Sequence, residues 1–202
     1  ACFFYTLVGD GERAAALGRR ATEVDPLYAL HWTGLAFAYA SLGQHEEAAA
    51  AARRAFEVDP HDLPTQAIAP LVLYGRGDLE PLLARLTAPT PSDRANLGGY
   101  AGLAQLTRAA LSGDHARVAR LVTPDVERLL GSGVHNALYA AEIFTLVGDH
   151  QRGLAFLARA AEQGLGCYPL LATHSRTLGP LRSAPGFAAI LAHVETTWKK
   201  RV

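Results

Sequence analysis

Apolar residues recur through this chain at intervals of three and four, the spacing that gathers side chains on one face of an α-helix. In "LHWTGLAFAYASLG" that spacing selects Trp32, Leu35, Ala36 and Tyr39, and in "HEEAAAAARRAFEVDP" it selects Ala48, Ala52, Ala55 and Phe56. Gly43 separates the two stretches and supplies the positive φ that ends the first helix. Pro60 closes the second, because proline cannot continue the hydrogen-bond ladder. Two helices joined by so short a connection lie antiparallel.

The same corner recurs. "TLVGD" occurs at Thr6–Asp10 and again at Thr145–Asp149, and related small turns surround Gly9, Gly43, Gly77, Gly113 and Gly148 at steps of 34, 34, 36 and 35 residues. "EVDP" keeps the same time, ending at Pro26 and Pro60. Asp10, Asp78, Asp114 and Asp149 follow the glycines and are placed to cap the next helix. A step of this size marks a stacked array of supersecondary units.

The stretch 29–62 resembles a tetratricopeptide repeat. It carries Trp32, Leu35, Ala36, Tyr39, Gly43, Ala48, Ala55 and Pro60 at the defining places of that motif. The unit before it enters mid-helix but keeps Tyr5, Gly9, Ala14, Ala21 and Pro26. Later units are looser. Residues 63–93 put Pro70 inside the first helix and shorten the second before "TAPTPSD", 94–133 extend through "TPDVERLLGSG", and 134–163 keep Ala141, Phe144, Gly148 and Ala160. The resemblance implies an all-α fold, a right-handed α-solenoid of four full helical hairpins and one truncated one, with units at about 1–28, 29–62, 63–93, 94–133 and 134–163. Alanines at 36, 48 and 55 let paired helices approach closely, and Trp32 is read as core packing rather than a ligand platform. A single unit cannot bury both its faces, so neighbours must stack.

Residues 164–202 change pattern. Gly164-Leu165, Tyr168-Pro169, His174, Leu181-Arg182, Pro185, Phe187, Leu191, Val194 and Trp198 resemble the closing segment of tetratricopeptide regions at the C-terminus of bacterial serine/threonine protein kinases and related signalling proteins. Ser175, Ala184 and Gly186 depart from the Asp, Asp and Arg usual there. Pro185 suits the first turn of a helix. Phe187, Ile190, Leu191, Val194 and Trp198 would then form one apolar stripe, giving a helix that caps the array. The sharper alternative docks this helix on a partner through Trp198 and the basic cluster Lys199, Lys200 and Arg201.

Composition narrows the function classes. Formal charge is zero, with 12 acidic and 8 basic residues in 1–100 against 7 and 11 in 101–202, too mild an asymmetry for nucleic acid or an anionic membrane. No apolar run reaches the length of a membrane span. Cys2 and Cys167 could form one bridge, with buried free thiols the preferred reading. A start without Met, in "ACFFYTLVGD", and without a signal-peptide pattern reads as a fragment of something longer, expected in the cytoplasm. Catalytic and cofactor motifs fail on inspection. "HEEAA" lacks the second His of a zinc-protease helix, and "GDGERA" and "GLGCYP" lack the third Gly of a dinucleotide loop. "RGD" at Arg76–Asp78 is explained by the repeat corner. The eight His residues show no pair at ligand spacing. No cofactor, metal or catalytic residue is expected; a structure in which His135 and Glu142 converge in a closed pocket would revive an enzymatic reading.

What the resemblance leaves is the concave surface, lined by the first helix of each pair. Its inward positions fall on Phe3 and Thr6; on Leu30, Thr33, Phe37 and Ala40; on Ala67, Leu71 and Tyr74; on Tyr100, Leu103 and Thr107; and on His135, Leu138, Glu142 and Thr145. Thr33 and Phe37 replace the Lys and Asn with which co-chaperone members hold a carboxylate, so chaperone tails are not the expected ligand. An apolar groove of this kind suits an amphipathic helix or an extended apolar peptide. The expected function is a non-catalytic protein–protein interaction scaffold from a larger bacterial signalling protein, anchored by Phe37, Tyr74 and Tyr100, with Phe37→Ala weakening partner binding at unchanged helix content. The rival is a structural, self-associating or intramolecular domain with no free groove ligand.

Overall fold

Each corner between paired helices is built from the same parts. The computed structural model describes residues 1–75, 83 and 99–201, and among these every regular element is helical. Helix α1 (Cys2–Val8) turns through Gly9, at φ 93°, into α2 (Gly11–Val24), whose first turn is capped by Asp10 accepting from the Arg13 amide. Helix α3 (Ala29–Ser41) turns through Gly43, at φ 74°, into α4 (His45–Val58). Here Gln44 takes the capping position without a side-chain bond. Helix α5 (Leu63–Val72) contains Pro70 and is followed by Gly75, at φ 73°. The corner expected at Gly77, the Asp78 cap, the "RGD" triplet and the second helix of that unit lie outside the described residues.

The chain resumes with α6 (Tyr100–Leu111), Gly113 and α7 (His115–Leu121), capped by Asp114. The extension "TPDVERLLGSG" is a separate helix, α8 (Pro124–Leu130), with Pro124 at its first position and Thr123 as its cap. Helices α9 (Val134–Leu146) and α10 (His150–Glu162) form the most regular later hairpin, with Gly148 at φ 75° and Asp149 capping. A π-helical turn (Leu170–His174), a 3-10 turn (Gly179–Ser183) and α11 (Phe187–Lys199) complete the chain. Pro185 does not open α11 as expected. Gly186, at φ 95°, takes the cap position and Phe187 starts the helix, because a left-handed residue must intervene to redirect the chain.

Helices pack in adjacent pairs: α1 on α2, α3 on α4, α9 on α10, with α3, α5, α6 and α9 forming a continuous inner row. The outer helices α2 and α4 are amphipathic, burying Ala14, Ala15 and Gly18, or Ala48, Ala49, Ala51, Ala52 and Ala55. The inner helix α3 is buried almost all round, because it is covered on both sides. Buried hydroxyls tie the inner row together. Thr33 and Thr65 share a 2.8 Å bond, Thr107 donates to the Ala67 carbonyl at 2.7 Å, and Thr107 also meets the Tyr139 hydroxyl at 2.5 Å. Thr33 and Thr107 also reach the carbonyls of Ala29 and Leu103 on their own helices, and Thr65 reaches Asp62, so the cross-helix contacts add to bonds already made and favour one alignment of neighbouring helices. Trp32 packs against the α3–α4–α5 core and donates its Nε1–H to the Pro26 carbonyl at 2.9 Å.

Residues 164–201 share the core of the hairpins. Leu165, Cys167, Leu170, Leu171, Leu178, Leu181, Phe187 and Val194 sit in one cluster with Leu7, Phe37, Leu71, Leu103 and Leu138. The tail also meets the opposite end of the chain: the Gly166 amide donates to the Leu7 carbonyl at 2.8 Å, and Trp198 stacks on Tyr168 beside Gly9. Cys2 and Cys167 are free thiols, and burial pushes both up to about 11. Cys2 donates to the Ala14 and Gly34 carbonyls instead.

Candidate functional site

The inner face of α9 sets out His135, Leu138, Tyr139 and Glu142 at helical spacing, two turns along one stripe. The tail crosses this stripe. After the π-helical turn the chain extends through Ser175, and Arg182 clamps that course by donating to the Leu171 carbonyl at 3.1 Å and the Ser175 carbonyl at 2.7 Å. His174 Nδ1 lies 2.9 Å from the Ser41 carbonyl at the end of α3. Arg176 donates to the Gly75 carbonyl, 3.1 Å away, after α5. Thr177 and Ser175 donate to Glu142 Oε1 at 2.5 and 3.3 Å. The tail therefore lies along α3, α5 and α9, on the face where the concave surface was expected.

Between tail and helices remains a cavity of about 40 Å³. Phe37, Ile68, Leu71, Val72, Leu138 and Leu170 form its apolar walls. His45, His135, Tyr139, Glu142, His174, Ser175, Arg176 and Thr177 supply its polar side. Burial is the cause that pushes the Glu142 carboxyl up to about 7, opposed by the two hydroxyl donors. Burial lowers His135, so its imidazole favours the neutral form. Burial likewise raises Tyr139, whose hydroxyl donates to the Leu103 carbonyl. The polar side thus sets a carboxyl raised by burial beside the Arg176 guanidinium, three imidazoles and the hydroxyls of Tyr139, Ser175 and Thr177.

Of the concave-surface residues expected from sequence, Phe37, Leu71, His135, Leu138 and Glu142 come together around this cavity. Phe3 stands one layer behind, its ring 6.0 Å from Phe37 and 5.5 Å from His135. Thr33 is buried and spent on the inner hydroxyl row, and Leu103 is buried in the core. Leu30 is half-buried at the start of α3, Tyr74 packs against the α3–α4–α5 core, and Tyr100 is 41% exposed at the start of α6. The three proposed aromatic anchors are therefore dispersed. Phe37 is only 7% exposed, so Phe37→Ala carries a core-packing cost of about 3 kcal/mol or more besides any effect on binding.

His135 and Glu142 share the cavity, but no hydrogen bond joins them among the described residues, and Glu142 is engaged by Ser175 and Thr177. Spacing along the chain missed His45, His174, Ser175 and Thr177. His45 and His174 have rings 6.3 Å apart although 129 positions separate them, a gathering that only tertiary folding makes. Among the described residues no group of His, Cys, Asp and Glu is arranged to hold a metal ion, and no helix is long and apolar enough to cross a membrane. No family model, no curated protein and no solved structure matches the chain.

Proposed function

We propose that this chain is a non-catalytic protein-interaction domain whose inner face is covered by its own C-terminal segment. The observation that carries this reading is the set of bonds from 174–177 to α3, α9 and the end of α5, with Arg182 holding the segment in place. A surface already engaged by the same chain needs no peptide to satisfy it. A partner then either displaces the tail or uses the outer helices, where Val24, Leu27 and Tyr28 are exposed between α2 and α3. The repeated Gly corners and the tail residues Tyr168-Pro169, Leu181-Arg182 and Trp198 support membership of a tetratricopeptide-like array, taken from the C-terminal part of a bacterial signalling protein such as a serine/threonine kinase.

The test compares the wild-type chain with Arg182→Ala, which removes the clamp on the tail. Light scattering should find the wild type monomeric at all concentrations, and the variant should capture more partner protein or self-associate through the uncovered face. Concentration-dependent dimers of the wild type would favour a self-association domain instead. Equal capture by both proteins would remove the tail from control of that surface.

A further inference from the structure

Four consecutive side chains of the tail meet the inner face, and each of them donates. His174 Nδ1 lies 2.9 Å from the Ser41 carbonyl, which can only accept, so that nitrogen carries the proton. Arg176 donates to the Gly75 carbonyl, and Ser175 and Thr177 both donate to Glu142 Oε1. The contacts alternate along the chain. Residues 174 and 176 reach the ends of α3 and α5, while 175 and 177 reach α9. The face itself supplies acceptors. Ser41 closes α3 and Gly75 follows α5, where carbonyls lack partners inside the helix and the helix dipole is negative. Among the described residues Glu142 is the one carboxyl lining the cavity, and the Arg176 guanidinium lines it from the tail.

We propose that the inner face receives a segment of a partner protein in which two hydroxyl side chains flank a basic one, the pattern of Ser175, Arg176 and Thr177. The proposal rests on the reading above, in which a partner reaches this face by displacing the tail. Acceptor chemistry selects the hydroxyls: a carboxyl and two helix-end carbonyls need donors, and a purely apolar segment would leave them unpaired. Charge selects the residue between them. A cation there stands beside the carboxyl and the negative end of α5, whereas an anion would meet like charge at both. Leu170, Leu171, Leu178 and Leu181 bracket the polar stretch and are buried, so the partner segment needs apolar residues on either side. A second copy is not the source, because its own segment is already bound to its own face and exchange would make no bond that the closed chain lacks.

The same contacts define what the face refuses. A phosphate on the hydroxyl that takes the place of Thr177 would be set against Glu142, an acceptor and a like charge, so the unmodified segment is the one bound. The tail sets the strength of binding. A partner engages only the open fraction of the chain, so loosening the tail tightens binding without altering the face. Arg182 offers a way to do this, since it donates within the tail, to the carbonyls of Leu171 and Ser175. Its removal leaves Glu142 and the Ser41 and Gly75 carbonyls in place.

The experiment titrates an end-blocked, fluorescently labelled peptide of residues 170–183 with the whole chain at about pH 8, where Glu142 is ionised and only accepts. Anisotropy compares the wild type with two opened chains, Arg182→Ala and Ser175→Ala/Thr177→Ala, each checked for wild-type helix content. Both opened chains should bind the peptide about tenfold or more tighter than the wild type. A peptide carrying Ser175→Ala and Thr177→Ala should bind them about tenfold more weakly, and one phosphorylated at Thr177 should not bind. Equal binding to wild type and opened chains would overturn the reading that the tail covers this face. Binding to the opened chains that tolerates the alanines or the phosphate would leave that reading standing and overturn the hydroxyl–basic–hydroxyl assignment. Absence of binding to both opened chains would overturn the assignment as well. Opened chains that dimerise without peptide would give the face to tail exchange between copies and overturn the choice of a partner protein.

Discussion

The two copies of "TLVGD" show how much of a structure one pentapeptide can specify. Locally they are alike. Thr6 and Thr145 each donate to the carbonyl four residues back, at 3.2 and 2.6 Å. Gly9 and Gly148 both take positive φ, and Asp10 and Asp149 both accept from the amide three residues on, at 3.2 and 3.1 Å. Their surroundings differ. A Cβ added at Gly9 would stand 2.4 Å from the Gly166 carbonyl oxygen and 2.7 Å from the Trp198 ring, whereas one at Gly148 would meet nothing within 4 Å. The first copy is a corner and also the seat of the tail; the second is a corner only. The same local code serves both because glycine is needed for φ in each, and only at Gly9 for close approach as well.

Substituting the two glycines is the most direct way to break this comparison. Gly9→Ala should cost about 4 kcal/mol, from left-handed strain plus a clash with backbone that cannot yield, while Gly148→Ala should cost about 1 kcal/mol from strain alone. Urea unfolding of the two variants reads the difference, and equal losses would mean that the tail contact on Gly9 contributes nothing.

Next in size is the pH dependence of stability set by Glu142, on the helix that carries the second copy. Its carboxyl is raised in the folded chain from 4.5 to about 7, so the folded state holds the proton more tightly than the unfolded one. Stability should therefore be full below about pH 4.5 and fall by about 2–3 kcal/mol as pH rises to about 7, levelling above. Glu142→Gln should flatten that slope; a slope unchanged in the variant would assign it to other groups.

Trp198→Ala should cost about 2 kcal/mol through lost stacking on Tyr168 and lost packing at Gly9. It should relieve little of the Gly9→Ala defect, because the Gly166 carbonyl stays in place; a full rescue in the double variant would show that the ring, not the backbone, makes the seat tight. The smallest effects belong to the caps. Asp10→Ala and Asp149→Ala should each cost about 1 kcal/mol, the second a few tenths more because Asp149 also pairs with Arg152. Thermal melts resolve these losses, and a much larger loss at Asp10 would reveal a tail contact beyond Gly9 and Gly166.

The parts that were legible along the chain are local in origin. Helical spacing in 29–58 announced α3 and α4, the glycines announced their corners, and Asp10, Asp114 and Asp149 announced their caps. A small displacement arose at the start of α11, which Gly186 rather than Pro185 sets. Phe37, Leu71, His135, Leu138 and Glu142 could be named from the inner-helix pattern, but their shared cavity could not. Its polar side is completed by His45, His174, Ser175 and Thr177, whose partners depend on where the tail lies.

By itself the sequence determined the helices, their turns and the face each would bury, since periodicity, glycine φ and side-chain capping act over a few residues. Tertiary structure alone decided that the tail crosses the inner face and that Gly9 becomes its seat. It also decided that Glu142 lies beneath it with one oxygen engaged. Those outcomes join residues 33 positions apart at Glu142 and Ser175, and 133 apart at Ser41 and His174, and closing such loops is settled by the summed burial of Leu165, Leu170, Leu178 and Leu181 rather than by any local preference.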